Sequence, residues 1–151
     1  MAKSSTPAPS AESGSTQRAD DLFFSSDIEV FVCGIHGDQR PVGGAAGLID
    51  WRLKGLLSRF LKAGSIKGTK GEITLIPVFK GGRRHGLLLV GLGPSGETIL
   101  PAETKAILDS VRQRLLNLKM THVAISVSSF SFASAGDLKK QLKSLELVFS
   151  P

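Results

Sequence analysis

A three-layer α/β/α sandwich around a mixed, largely parallel sheet is the fold class that this 151-residue chain predicts. Three observations lead there. Apolar segments alternate between short β-rich runs and longer runs with helical spacing. The short runs are apolar at nearly every position, so they need cover on both faces, and helices above and below a sheet supply it. At 41% hydrophobic and 21% charged residues, the composition suits one core.

Residues 1–21 are mostly Ser, Thr, Pro, Ala and Gly with almost no large apolar side chain, and their few charges nearly cancel. Such a stretch buries too little surface to offset its ordering entropy, so it reads as a disordered tail, with the folded domain over 22–151. IEVFVCG (28–34) reads as the first strand, ending at a glycine. One helix is expected from about Leu48 to Ala63, with Ile49, Leu53, Leu56, Leu57 and Phe60 on its apolar side and Gly64 as its stop. EITLIPVF (72–79) and GLLLVGL (86–92) read as strands joined by the basic turn KGGRRH. Pro101 opens a second helix, where its missing N–H costs nothing, and Ile107, Val111, Leu115 and Leu118 form the buried stripe. HVAISV (122–127), a short helix over 137–144 and a last strand over 145–149 complete the order.

Composition excludes several classes. The single cysteine, Cys33, rules out an intramolecular disulfide and a cysteine-based zinc knuckle, and suits a reducing compartment. No apolar run approaches the roughly 20 residues of a bilayer span, and the N-terminus lacks a secretory apolar core. A cytoplasmic protein with no membrane partner is expected. No Walker-type phosphate loop occurs, the 13 acids are scattered apart from the adjacent Asp20 and Asp21, and no histidine has a helical partner for a metal, so no catalytic residue, metal or cofactor is expected.

Four features remain for function. GLGPSG (91–96) matches the dinucleotide fingerprint G-x-G-x-x-G after a strand, but the next helix opens five residues late and 117–129 holds no acidic residue for a ribose. It reads as a structural turn. Gly43, Gly44 and Gly47, in PVGGAAGLID, stand before the first helix. Backbone N–H groups there could cradle a phosphate, or the small residues could serve a tight turn alone. Cys33 and His36 are close in sequence, but a cysteine ending an apolar strand behaves as a small hydrophobe.

The fourth feature is charge. Arg52 to Arg84 holds nine basic residues and one acid, a net +8 within a chain of +6. On a continuous helix, Arg52, Gly55, Arg59 and Lys62 would form one stripe opposite the apolar face, with Arg83 and Arg84 in the basic turn. Such a surface could meet nucleic-acid phosphates or an acidic protein partner, or be plain solvated surface. Aromatic residues are not interleaved with it, which weighs against single-strand recognition.

Three ordered segments resemble the N-terminal domain of the leucyl aminopeptidase family, peptidase family M17. They are Asp50-Trp51-Arg52-Leu53-Lys54-Gly55-Leu56-Leu57-Ser58-Arg59-Phe60-Leu61, Gly68-Thr69-Lys70-Gly71-Glu72 and Leu87-Leu88-Leu89-Val90-Gly91-Leu92-Gly93. The resemblance covers roughly residues 28–148 and implies a macro-domain-like α/β/α sandwich. The family's activity is metal-dependent removal of N-terminal amino acids, carried by a separate C-terminal domain with an N-T-D-A-E-G-R-L motif. That motif is absent here, so no catalytic or metal residue carries over. The expectation is a non-catalytic module acting in assembly or regulation, through a protein partner or self-association. The alternatives are a DNA-binding module using the Arg52–Arg84 surface, a macro-like binder of a phosphorylated nucleotide, and a fragment of a full metallo-aminopeptidase.

Overall fold

The strands with the most buried apolar runs end up in the middle of the sheet. The computed structural model describes residues 18–130 and 132–150. In chain order these form α1 (Ala19–Phe23), β1 (Val30–Ile35), α2 (Gly44–Arg52), α3 (Leu56–Ala63), β2 (Ile73–Lys80), β3 (Arg83–Gly91), α4 (Pro101–Asn117), β4 (His122–Ser126), a 3-10 turn (Ser128–Phe130), α5 (Ala135–Gln141) and β5 (Glu146–Ser150). The sheet order is β2-β3-β1-β4-β5, with β2 antiparallel to β3 and every other pairing parallel. This is the expected mixed, largely parallel sheet.

Two-residue alternation splits the central strands between two cores. Phe31, Cys33, Leu87, Leu89 and Ala124 pack beneath α1, α2 and α3. Val30, Val32, Leu88, Val90, Val123 and Ile125 pack beneath α4 and α5, against Leu108, Val111, Leu115 and Leu138. Each of these strand residues is at most 1% exposed, as a strand covered on both faces requires.

Two helical expectations are corrected. Residues 1–17 of the expected tail lie outside the described residues, but Ala19 and Asp20 belong to α1 and are 2% and 1% exposed, so ordered structure begins before Leu22. A helix of five residues is too short to leave an apolar period in the sequence. The expected single helix over 48–63 is two helices, and it begins at Gly44. Lys54 and Gly55 take left-handed backbone angles (φ +58° and +80°), ending α2, with the Gly55 N–H on the Asp50 carbonyl at 2.9 Å. The Asp50 side chain then caps α3, accepting from the Leu57 N–H at 2.7 Å, the Ser58 N–H at 3.3 Å and the Ser58 hydroxyl at 2.5 Å. One carboxylate thus supplies the N-terminal partner that Gly55 lacks. The first of the three family-like segments, from Asp50 to Ser58, is this corner.

Other ends follow local rules. Glu103 accepts from the Leu100 N–H at the start of α4, and Ser134 and Asp137 cap α5 reciprocally, at 3.1 Å each way. Lys80 pairs directly with Arg83 across a two-residue turn, Gly81-Gly82, whose positive φ values (+61° and +77°) suit a tight hairpin that only glycine adopts cheaply.

Candidate functional site

In an open α/β sheet, a crevice forms outside the carboxyl ends of adjacent parallel strands whose connections leave to opposite faces. Here β1 leads to α2 on one face and β3 leads to α4 on the other, and Ile35 and Gly91 pair at their ends. Two open cavities of about 250 and 200 Å³ lie at this edge and share His36, Leu92 and Ser129. The smaller reaches Gln39, Gly43, Gly44 and Ser128; the larger reaches Ser95, Glu97 and Phe132.

The chain's own hydrogen bonds tie the two sides of the crevice together. His36 donates from Nδ1 to the Gly93 carbonyl at 3.0 Å, which fixes Nδ1 as the protonated nitrogen. The Asp38 carboxylate accepts from the Ser95 N–H at 3.0 Å and its hydroxyl at 3.1 Å. The Ser95 backbone bond holds the Asp38 carboxyl below its ordinary range. Ser129 donates to the Ser126 hydroxyl at 3.0 Å on the third strand end.

The three loop glycines divide. Gly43 precedes α2, and Gly44, at φ +61°, has open space where a Cβ would stand; both line the smaller cavity. Gly47 lies inside α2, where a Cβ would come within 2.4 Å of the Val42 carbonyl oxygen, so it serves close packing rather than the cavity. GLGPSG is a packing turn. A Cβ at Gly91 would meet the Thr69 carbonyl oxygen at 2.0 Å, Gly93 sits at φ +77°, and α4 opens five residues beyond Gly96. The Gly68–Glu72 segment is the strap packed against it. The Glu72 carboxylate closes its loop by accepting from the Gly68 N–H at 2.6 Å, while backbone bonds join Gly71 to Gly91 and Gly93 to Gly68, both at 2.9 Å.

The basic stripe expected on one helix is not assembled, because the break at Lys54–Gly55 puts Arg52 on α2 and Arg59 and Lys62 on α3. Arg52 bonds Asp20 at 2.9 Å and Asp21 at 3.2 Å. Burial works to raise the Asp20 carboxyl, but hydrogen bonds from Arg52 and Arg18 overcome it and hold the group below its ordinary range. Arg59 donates to the Lys54 carbonyl at 2.7 Å and so fastens the α2–α3 corner, while Lys62 is exposed on α3. Arg83 and Arg84 stand exposed at the start of β3.

Cys33 is fully buried, and burial pushes its thiol up to about 12, so it stays protonated and belongs to the core. His85 is 5% exposed between the Phe23 and Phe24 rings, and its pKa is lowered first by burial and then by Arg83. His122 lies within 3.5 Å of Glu29 and 3.4 Å of Glu146. Among the described residues, no three His, Cys, Asp or Glu side chains gather as a metal site, and no helix is long and apolar enough to cross a membrane. Sequence reasoning passed over Asp38, Ser95, Ser128 and Ser129, since small polar residues in loops carry no spacing signal. It also passed over Trp51 and Phe79, each 74% exposed.

Comparison with known proteins places this geometry. In solved structures, the fold is similar to the macrodomain of Mycobacterium tuberculosis DarG (TM-score 0.63, 15% identity, covering 85% of this chain and 92% of that one). It is similar also to Thermosipho africanus DarTG in complex with ADP-ribose (0.59, 9%, 85% and 39%) and to a tomato leucine aminopeptidase variant (0.52, 16%, 82% and 29%). These likenesses show the fold. In sequence, the chain is 31% identical over 114 residues to a probable cytosol aminopeptidase of Burkholderia multivorans, covering 76% of this chain and 22% of that protein. It is 32% identical over 106 residues to one of Burkholderia ambifaria, covering 70% and 21%. The chain therefore spans about a fifth of the length of the curated relatives it matches. The model of the cytosol aminopeptidase family, N-terminal domain, matches residues 30–143, and the chain belongs to that family.

Proposed function

We propose that this domain is the non-catalytic N-terminal module of a cytosol-aminopeptidase-type proteolytic assembly in the cytoplasm, acting through protein contacts. The observation that carries the reading is the family match, which aligns the chain with only about a fifth of its relatives. Support comes from the outer strands: β2 and β5 are open sheet edges, and Val148 on β5 is 41% exposed, surface that a partner chain can cover. Light scattering of the chain alone and co-expressed with a polypeptide carrying the metal-binding aminopeptidase domain tests it. A stable complex, with no turnover of an amino-acid p-nitroanilide by the chain alone with Mn²⁺ or Zn²⁺, is the expected outcome. Metal-dependent turnover by the chain alone overturns the reading.

A second reading, a macro-like binder of a phosphorylated nucleotide, is favoured by one observation: Gly43 and Gly44 line the smaller cavity at the N-terminus of α2. Calorimetry with ADP-ribose and with a nucleoside diphosphate decides it, and absence of heat with both removes it.

A further inference from the structure

The buried His85 takes no part in the crevice. It stands near the start of β3, at the opposite end of that strand, and is 5% exposed. Strand alternation turns it to the face that α1 covers, where its ring lies 5.7 Å from the Phe23 centroid and 5.3 Å from the Phe24 centroid. Phe23 also meets Phe31 at 6.4 Å, so rings seat the end of α1 against the sheet. Away from that seat, α1 is tethered by Asp20, which bonds Arg18 and Arg52.

The charges around this seat oppose an imidazolium. Lys80 on β2 and Arg83 on β3 both act on the ring, and both are positive. The Phe24 π-cloud already carries the Lys80 ammonium at 4.3 Å and the Arg52 guanidinium at 4.7 Å, so it offers little to a third cation. The acids nearby are engaged elsewhere: Asp20 and Asp21 with Arg52, and Glu29 with the Thr121 and His122 N–H groups, while Asp27 is exposed. Arg84 falls on the other face of the sheet. Burial first, and Arg83 next, hold His85 below the ordinary imidazole range, and hydrogen bonding to the Phe23 backbone does not outweigh them. We propose that His85 is an acid-sensitive latch for α1: the neutral ring lets Phe23 and Phe24 close over it, and its protonation lifts α1 from the sheet and uncovers Phe31. A group held low in the folded state favours that state while neutral, so the latch is closed above about pH 6.5 and loosens as pH falls below it. Asp20 is held below its own ordinary range, so its tether to Arg52 stays ionised through that window and leaves the opening to His85.

Amide exchange of the full chain, followed by NMR from about pH 7.5 to about pH 5 and corrected for intrinsic rates, tests the inference. Protection at Phe24 and Ser25, whose N–H groups bond the Asp20 and Leu22 carbonyls, should fall by up to about tenfold per pH unit below about pH 6.5. Protection at Leu108 and Leu115, in the core on the other face of the sheet, should hold over the same range. His85→Gln, which keeps a polar side chain that does not titrate, should abolish the fall. Arg83→Gln removes the first charge acting against the imidazolium and should shrink it. In the parent, direct titration of the His85 ring protons should give a midpoint below about 6.5. Constant protection of α1 from neutral to acid pH overturns the proposal, as does a fall that persists in His85→Gln. So does a loss shared equally by Leu108 and Leu115, and so does a His85 midpoint at or above the ordinary value.

Discussion

Gly91→Ala should destabilise the domain by about 3 kcal/mol, lowering the thermal midpoint by about 10 °C. The added methyl would stand 2.0 Å from the Thr69 carbonyl oxygen, a backbone atom pinned on both sides by hydrogen bonds between the strap and β3. Backbone cannot rotate aside as a side chain can, so the strap or the end of β3 has to move. Gly96→Ala is the control within the same G-x-G-x-x-G run. A Cβ there meets nothing within 4 Å, so its midpoint should stay within about 0.5 kcal/mol of the parent. Equal midpoints for the two variants in a thermal or urea melt would mean that the strap does not pack on Gly91 as described.

Asp50→Ala should cost about 2–4 kcal/mol, read as a shift of the urea midpoint at unchanged slope. Its carboxylate accepts three hydrogen bonds at the corner, and the Leu57 N–H it satisfies is buried. Without it, that donor has no cap at the end of a helix whose N-cap residue is glycine. Asp50→Asn keeps one accepting oxygen and should lose about half as much. Hydrogen exchange at Leu57 and Ser58 should quicken in both variants, ahead of the rest of α3. Unchanged exchange there would refute the capping role.

The strand pattern was readable because each central strand carries a nearly unbroken apolar run, and the observed strands lie within about three residues of the expected bounds at each end. The α2–α3 break was not readable by the same means. Leu53, Leu56, Leu57 and Phe60 keep helical spacing across the corner because both helices cover the same face of the sheet, so the period continues while the backbone does not. The signal that marks the corner is Gly55 with Asp50 five residues before it and Ser58 three after, a pattern of side-chain capping rather than of hydrophobicity. The glycine-rich runs were ambiguous for a related reason. A glycine that admits a ligand and one that admits a neighbouring carbonyl look alike in sequence, and only the positions of the Thr69 and Val42 carbonyls separate Gly91 and Gly47 from Gly44. The charge excess from Arg52 to Arg84 was visible, but its partition was not. Arg52 and Arg59 are held by Asp20 and by the Lys54 carbonyl, contacts that depend on a helix before Leu22 and on the corner itself.

The sheet topology also sets an order of assembly. The Gly81-Gly82 hairpin closes the one strand pairing that is local in sequence, whereas β1 must find Gly86–Gly91, more than fifty residues on, and Val123–Ile125, more than ninety residues on. Forming a hairpin takes about 1–10 μs, and distant pairings wait on a larger loss of chain entropy. The hairpin should therefore be native-like in the folding transition state, with φ-values near one for substitutions that weaken the Lys80–Arg83 turn and near zero at β5. The hairpin whose tip exposes Lys80, Arg83 and Arg84 would then be the one around which the rest of the chain condenses.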